Sequence, residues 1–337
     1  MPTTMQPAMP IAMKTRKLGP FTVANIGLGC MSMSHAYGKP DKASAIATLH
    51  RALDVGYNFL DTAALYGFGA NENLLGEVLH ERRDEFVLAS KCGLFKNSAG
   101  EREINGRPEV IKQTCEDSLN RLKTDVIDLY YLHRVDPNVP VEDSIGALSE
   151  LVAEGKIKTI GLSEVSAQTL KRAHAVHPIT ALQSEYSLWT RNPEGAVLET
   201  CKQLGVAFVA FSPLARGFLT GHVRDMNLLQ TSDLRHSMPR FLGDNFSANL
   251  QLLESYSAIA TANRCSPAQL ALAWLLNKDE IIIPIPGTQH GDYAVENAGA
   301  SHIQLSDATM VSLEQLINVD SVQGERYNAS MLATMET

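Results

Sequence analysis

Ile26-Gly27-Leu28-Gly29-Cys30-Met31-Ser32 decides between two folds. The stretch reads as a buried strand, residues 26–30, that carries G-x-G. A doubly wound dinucleotide-binding sheet would place G-x-G-x-x-G here, opening onto a helix that receives a pyrophosphate. No third glycine stands at the required spacing. The stretch lacks the glycine turn that such an open sheet prefers, which favours a closed arrangement of the strands and helices that follow over a doubly wound sheet.

Upstream, residues 14–18 and 21–24 flank Gly19-Pro20 and read as a small hairpin. Downstream, apolar runs at 57–60, 86–89, 127–132, 159–162, 180–183, 207–211 and 281–285 alternate with amphipathic stretches at 41–55, 73–81, 108–121, 141–154, 167–174, 193–204 and 293–300. Asp41 suits an N-cap, Pro108 a first helical turn, and Gly56, Gly155 and Gly205 suit helix stops. A strand, a crossover helix and a parallel strand take roughly 30 residues. With the first strand this makes eight such units, which predicts a (β/α)8 TIM barrel of the α/β class with an N-terminal β-hairpin. Residues 14–330 form its single domain, and residues 1–13, rich in Met, Pro and Thr, read as a disordered tail. The rhythm breaks between the seventh and eighth strands. There, helices at 249–262 and 267–276 follow a long loop at 214–247, a candidate lid because long loops in compact domains are usually functional.

The 337 residues carry a net charge of −8 with both signs interspersed, and no basic run. That argues against nucleic-acid and membrane-surface partners. The five cysteines (Cys30, Cys92, Cys115, Cys201 and Cys265) show no CxxC and read as reduced thiols of a cytoplasmic protein rather than a metal site or disulfide framework. No apolar run reaches the about 18 residues of a membrane span.

Three successive strand ends deliver Asp61, Lys91 and His133, and Tyr66 follows Asp61 by five positions. The carboxyl ends of parallel strands are where such folds place chemistry. Each residue alone has an ordinary explanation: a helix cap, a lysine reaching solvent, a core histidine, a surface phenol. Together they form a proton-transfer device. A carbonyl receiving hydride becomes an oxyanion that needs a proton, and Tyr66 can supply it if the Lys91 ammonium lowers its pKa from about 10 toward neutrality. Asp61 supplies a counter-ion for Lys91, and His133 a hydrogen bond to the carbonyl oxygen.

These residues resemble the aldo-keto reductase superfamily. Asp61-Thr62-Ala63-Ala64-Leu65-Tyr66-Gly67 matches its D-T-A-x-x-Y-G motif, with Lys91 and His133 at its lysine and histidine positions. Gly161-Leu162-Ser163-Glu164, Gln183-Ser184-Glu185-Tyr186, Phe211-Ser212-Pro213-Leu214-Ala215-Arg216-Gly217, Pro284-Ile285-Pro286-Gly287-Thr288 and Glu296-Asn297 follow in order. The resemblance implies catalytic roles for Asp61, Tyr66, Lys91 and His133, and a nicotinamide dinucleotide bound without a glycine fingerprint. It implies that Ser163 and Gln183 hold the carboxamide and Phe211 stacks on the nicotinamide. Ser212, Leu214, Arg216 and Gly217 would wrap the pyrophosphate. Gly287, Thr288, Tyr293, Glu296 and Asn297 would meet the adenosine.

Two departures stand out. Glu164 replaces the Asn that often follows the carboxamide serine. After Gly287-Thr288, Gln289, His290 and Asp292 stand where Lys or Arg would pair with the 2′-phosphate of NADP(H). NADP(H) is the family default, and this stretch leaves NAD(H) open on equal terms unless a basic lid residue substitutes. Met33, Tyr37, Phe68, Phe95, Arg134, Trp189, Phe218 and Phe241 fall near the rim and are expected to shape a pocket for a small aldehyde, ketone or alcohol. The leading reading is an oxidoreductase, monomeric or homo-oligomeric, without a metal. The alternatives are a cofactor-binding regulatory protein resembling potassium-channel β-subunits, which needs a docking extension, and a barrel with isomerase-type phosphate chemistry, which needs a phosphate-binding glycine turn.

Overall fold

The computed structural model describes residues 12–96, 102–332 and 335–336. Twelve strands among these described residues run β1 (Thr15–Leu18), β2 (Phe21–Ala24), β3 (Leu28–Gly29), β4 (Phe59–Asp61), β5 (Val87–Cys92), β6 (Leu94–Lys96), β7 (Arg102–Ile104), β8 (Ile127–Leu132), β9 (Ile157–Ser163), β10 (Ile179–Glu185), β11 (Ala207–Phe211) and β12 (Ile282–Ile285). Eight of them form one parallel sheet in the order β12-β11-β10-β9-β8-β5-β4-β3. Helices between successive strands cover its outer face, among them Lys42–Asp54, Pro108–Leu122, Val141–Ala153, Ala167–Val176 and Ala196–Leu204.

The sheet closes at the stretch that carries G-x-G. Gly29 bridges Gly287 in parallel. The Gly27 and Gly29 N–H groups donate to the Pro284 and Pro286 carbonyls at 3.0 and 3.1 Å. A Cβ on Gly27 would lie 2.6 Å from the Phe59 ring, and one on Gly29 would lie 2.9 Å from the Ile285 carbonyl oxygen. The two glycines therefore serve the barrel seam, where backbones approach too closely for any side chain.

Two apolar layers follow from the alternation of side chains along each strand. The barrel interior is filled by Phe59, Leu129, Tyr131, Val209 and Ile283 among others, with Leu18 and Val23 of the β1–β2 hairpin in the same cluster. The larger layer lies between strands and helices and includes Leu49, Leu60, Leu88, Tyr130, Leu148 and Trp274. Strands buried on both faces read as continuous apolar runs, which is why β8 and β11 match their predicted spans.

Elsewhere the structure departs from expectation. The first strand is only two residues long. The predicted helix at 249–262 is two helices, Gly243–Leu250 and Leu252–Ala262. The predicted loop at 214–247 is largely a chain of short 3-10 turns, Ala215–Thr220, Met226–Leu228, Leu234–Ser237 and Pro239–Phe241, two of them held by Asp caps at Asp225 and Asp233. The β6–β7 hairpin and the helix Asp307–Leu316 were not foreseen. Of the expected tail, residues 1–11 lie outside the described residues, whereas Met13 packs on the core. All five cysteines are unpaired, and only Cys265 is less than fully buried.

Candidate active site

Asp61 ends β4, Lys91 sits one residue before the end of β5, and His133 follows β8, so three adjacent strands aim at one point. Lys91 has no exposed surface. Its ammonium donates to Asp61 Oδ1 at 2.5 Å, to the Thr62 carbonyl at 2.8 Å and to Tyr66 Oη at 3.2 Å, using all three protons. The second carboxylate oxygen of Asp61 accepts from Gln183 Nε2 at 2.7 Å. Tyr66 is carried on a tight turn, Tyr66–Gly69, in which Gly67 and Phe68 adopt left-handed backbone. Its ring meets His133 edge-on at 6.0 Å between centroids, and His35 at 5.6 Å.

Burial sets the charge states. Desolvation raises the Asp61 carboxyl against the pull of Lys91 and Gln183. Burial opposes the charge of Lys91, but Asp61 and Tyr66 more than offset it and hold its pKa above the ordinary lysine value. Tyr66 is a correction to the sequence reading. Burial raises its pKa, and the nearby ammonium only moderates the rise, so the phenol is firmly neutral in the free protein. His133 is pushed well below the usual histidine value by burial, with Arg134 and Lys91 adding to the effect, so it is a neutral imidazole. Its Nδ1 is buried without a partner among the described residues.

The group opens into a cavity of about 750 Å³ lined by Asp61, Tyr66 and His133 at one end. Every residue expected at the dinucleotide also lines it: Ser163, Gln183, Phe211, Ser212, Leu214, Arg216, Gly217, Gly287, Thr288, Tyr293, Glu296 and Asn297. After β11 the chain curls through left-handed Ser212, Ala215, Arg216 and Gly217. Non-glycine residues held there cost about 1 kcal/mol or more each, a strain that clusters at ligand clamps. The Arg216 guanidinium donates to Glu185 Oε2 at 2.8 Å and lies over the Tyr327 ring. Ser163 Oγ accepts from Arg134 Nη1 at 3.2 Å. In the turn Leu234–Ser237, Arg235 is forked onto Asp233 and donates to the Arg216 carbonyl.

The expected substrate residues divide. Tyr37 and Arg134 line the cavity. Met33, Phe68, Phe95, Trp189, Phe218 and Phe241 do not. Trp189 stacks on Phe218 at 4.1 Å and meets Phe241 edge-on, so these rings pack the 215–241 segment onto the core. Met33 is buried in the outer layer, and Phe68 is exposed at the surface. Sequence reasoning missed His35, Leu94, Arg102, Arg235, Tyr327 and Met331 on the cavity wall. The C-terminal pair arrives through Arg326, which donates to Glu164 Oε2 at 2.7 Å. No helix among the described residues is long and apolar enough to cross a membrane, and no cluster there could hold a metal ion.

Residues 25–318 match the model of the Aldo/keto reductase family. The aldo-keto reductase yakc of Schizosaccharomyces pombe, whose name specifies NADP(+), is 42% identical over 323 residues, covering 94% of this chain and 95% of that protein. The glycerol dehydrogenase AKR11B4 from Gluconobacter oxydans superposes with a TM-score of 0.83 at 27% identity, covering 90% of this chain and 95% of its own. An aldo-keto reductase from Klebsiella pneumoniae in complex with NADPH gives a TM-score of 0.71 at 27% identity, covering 94% of this chain and 99% of its own. With an eight-stranded parallel barrel and a family match over most of its length, the chain belongs to the aldo/keto reductase family of NAD(P)-dependent oxidoreductases.

Proposed function

We propose that this enzyme interconverts small aldehydes or ketones and their alcohols, with Tyr66 as proton donor in reduction and acceptor in oxidation. The observation that carries the reading is the hydrogen bond from the buried Lys91 ammonium to Tyr66 Oη, made while the same ammonium is anchored by Asp61. A nicotinamide dinucleotide, when bound, supplies or accepts the hydride. The residues suit such a ligand. Gln183 spends its Nε2 on Asp61 and keeps a carbonyl oxygen free for a carboxamide NH2, while the Ser163 hydroxyl can donate to the carboxamide oxygen. Phe211 offers a half-buried ring face, and the left-handed turn at 212–217 suits a pyrophosphate.

At the other end of the cavity, Tyr66 gives its proton to the nascent alkoxide. Lys91 stabilises the phenolate left behind, and Asp61 keeps Lys91 charged and in place. The neutral His133 imidazole donates one N–H toward the same oxygen and orients it. Tyr66→Phe should bind the dinucleotide nearly as well as the parent and lose about 100-fold or more in turnover. Carbonyl reduction at the parental rate in that variant rules out Tyr66 as the donor.

Either dinucleotide should be accepted. Gln289 and His290 carry no fixed charge, and Gln289 is tied to the Lys42–Asp54 helix by its bonds with Asp41 N and Ser44 Oγ. Arg216 and Arg235, the two arginines of the 214–247 segment on the cavity, are already committed to Glu185 and Asp233. Steady-state comparison of NADH and NADPH tests this: a preference for NADPH above about 100-fold, near 2.7 kcal/mol, would mean that a phosphate site exists which these residues do not reveal.

A further inference from the structure

The cavity wall around Tyr66 and His133 carries two guanidinium groups, Arg102 and Arg134, that form no ion pair with an acid among the described residues. Arg102 stands on β7 of the unforeseen hairpin, in register with Lys96, and lines the cavity with an exposed side chain. It forms no ion pair among the described residues. Arg134 donates to the His133 carbonyl at 2.7 Å and to Ser163 Oγ at 3.2 Å, both uncharged acceptors. The other two arginines on the cavity are neutralised, Arg216 by Glu185 and Arg235 by Asp233. The acids on the wall do not balance the free pair. Asp61 is engaged by Lys91 and Gln183, and Glu296 belongs to the end expected to hold adenosine.

Both free arginines act at the reacting end. Each lowers the pKa of His133, and Arg102 also lowers that of His35, whose ring lies 5.6 Å from Tyr66. Burial first, and these arginines second, keep His35 and His133 neutral, Tyr66 is a neutral phenol, and Asp61 is taken up by Lys91 and Gln183, so among the described residues no carboxylate at this end is left for the arginines to meet. In a chain of net charge −8, a local excess of two fixed positive charges beside the proton donor is informative.

We propose that the substrate is an aldehyde or ketone that itself carries a carboxylate, held by Arg102 and Arg134 while its carbonyl faces Tyr66. The inference rests on the reading of Tyr66 and His133 as the reducing end. A guanidinium presents parallel N–H donors matched to a planar carboxylate, and Arg102 has none of its own engaged by an acid. The ligand's charge replaces the internal partner that the other two cavity arginines possess.

The test compares 4-formylbenzoate with its methyl ester, which shares the carbonyl and the ring but lacks the charge, using the full-length enzyme with NADH and with NADPH. The acid should exceed the ester in kcat/KM by about tenfold, mainly through KM, and added salt should shrink the ratio. Arg102 is exposed on a hairpin, so Arg102→Met should fold normally. The acid-to-ester ratio should fall at least about fivefold in that variant and be largely kept in Arg102→Lys. An ester turned over as well as the acid, or a ratio unmoved by Arg102→Met, overturns the carboxylate assignment and leaves the reductase reading standing. Failure of hydride transfer to both compounds, and to a panel of other carbonyls, would instead overturn the reading on which it rests.

Discussion

Replacing Asp61 or Lys91 should cost stability as well as activity, in a pH-dependent way that identifies which charge is left behind. Asp61 accepts at both oxygens, from Lys91 at 2.5 Å and from Gln183 at 2.7 Å. Asparagine offers one acceptor and one NH2, so either orientation turns a donor against Lys91 or Gln183, and the ammonium loses its counter-ion. Removing one partner of a buried pair costs about 3–5 kcal/mol. At about 2 °C per kcal/mol for a large domain, that is a fall in Tm of roughly 6–10 °C for Asp61→Asn. In Lys91→Met the stranded group is the carboxyl, which burial already raises. A folded-state pKa above the unfolded value of about 3.9 means that the deficit is smallest in acid and grows as pH rises through the folded-state value. Urea unfolding of Lys91→Met and the parent at about pH 5 and pH 8 should show the larger gap at pH 8. The double variant Asp61→Asn/Lys91→Met should recover about 2 kcal/mol relative to the sum of the single changes. A Lys91→Met deficit below about 1 kcal/mol, or one identical at both pH values, refutes the claim that the pair is buried and ionised.

Because His133 is held neutral, reduction should show no inflection assignable to it between about pH 5.5 and 7.5; an inflection there that Asn at position 133 abolishes would contradict this. Gln289→Lys/His290→Arg should raise the NADPH-to-NADH ratio of kcat/KM about tenfold or more by adding cations where a 2′-phosphate would lie, and an unchanged ratio would place that phosphate elsewhere. Glu164→Ala should destabilise the protein by about 1.5–3 kcal/mol through loss of the Arg326 bond. Thermal unfolding should show Glu164→Asn to be milder by up to about 1 kcal/mol, because Asn tolerates the left-handed backbone at φ 55° better than Ala does.

The barrel was legible because its signal is repeated and local. Strands buried on both faces leave unbroken apolar runs, and helix starts and stops such as Asp41, Pro108 and Gly205 mark the crossovers. The convergence of Asp61, Lys91 and His133 was legible for a related reason: a strand end is a fixed place in this fold, so a polar residue there has a known direction. The pocket aromatics were not legible. Trp189, Phe218 and Phe241 are near the rim in sequence, yet a large ring gains more by stacking in the core than by facing a wet cavity, and no local pattern separates the two outcomes. Arg102 and Tyr327 were missed because they reach the cavity from segments with no strand periodicity, one on a three-residue strand and one beyond the last long helix.

Glu164 shows how a departure visible in sequence acquires a physical account only in three dimensions. It follows β9 with φ 55°, a left-handed conformation that glycine and asparagine tolerate and glutamate does not favour. Asn at this place would relieve the backbone but is one methylene shorter. Glu164 spans two elements at once, accepting the Glu185 N–H at 2.7 Å with one oxygen and Arg326 at 2.7 Å with the other. Arg326 in turn lies over the Tyr327 ring and within 3.8 Å of Glu185, which holds Arg216. Two charge-assisted bonds at about 1.5–3 kcal/mol each outweigh a backbone strain of about 1–2 kcal/mol. The substitution therefore exchanges local comfort for a tether that fixes Tyr327 against the cavity and Arg216 at its wall. The residue after Ser163 thereby tethers the C-terminal segment 162 positions downstream, alongside the bonds of Asn249 and Arg240 to Gln323 and Gly324, as well as shaping the environment of its neighbouring serine.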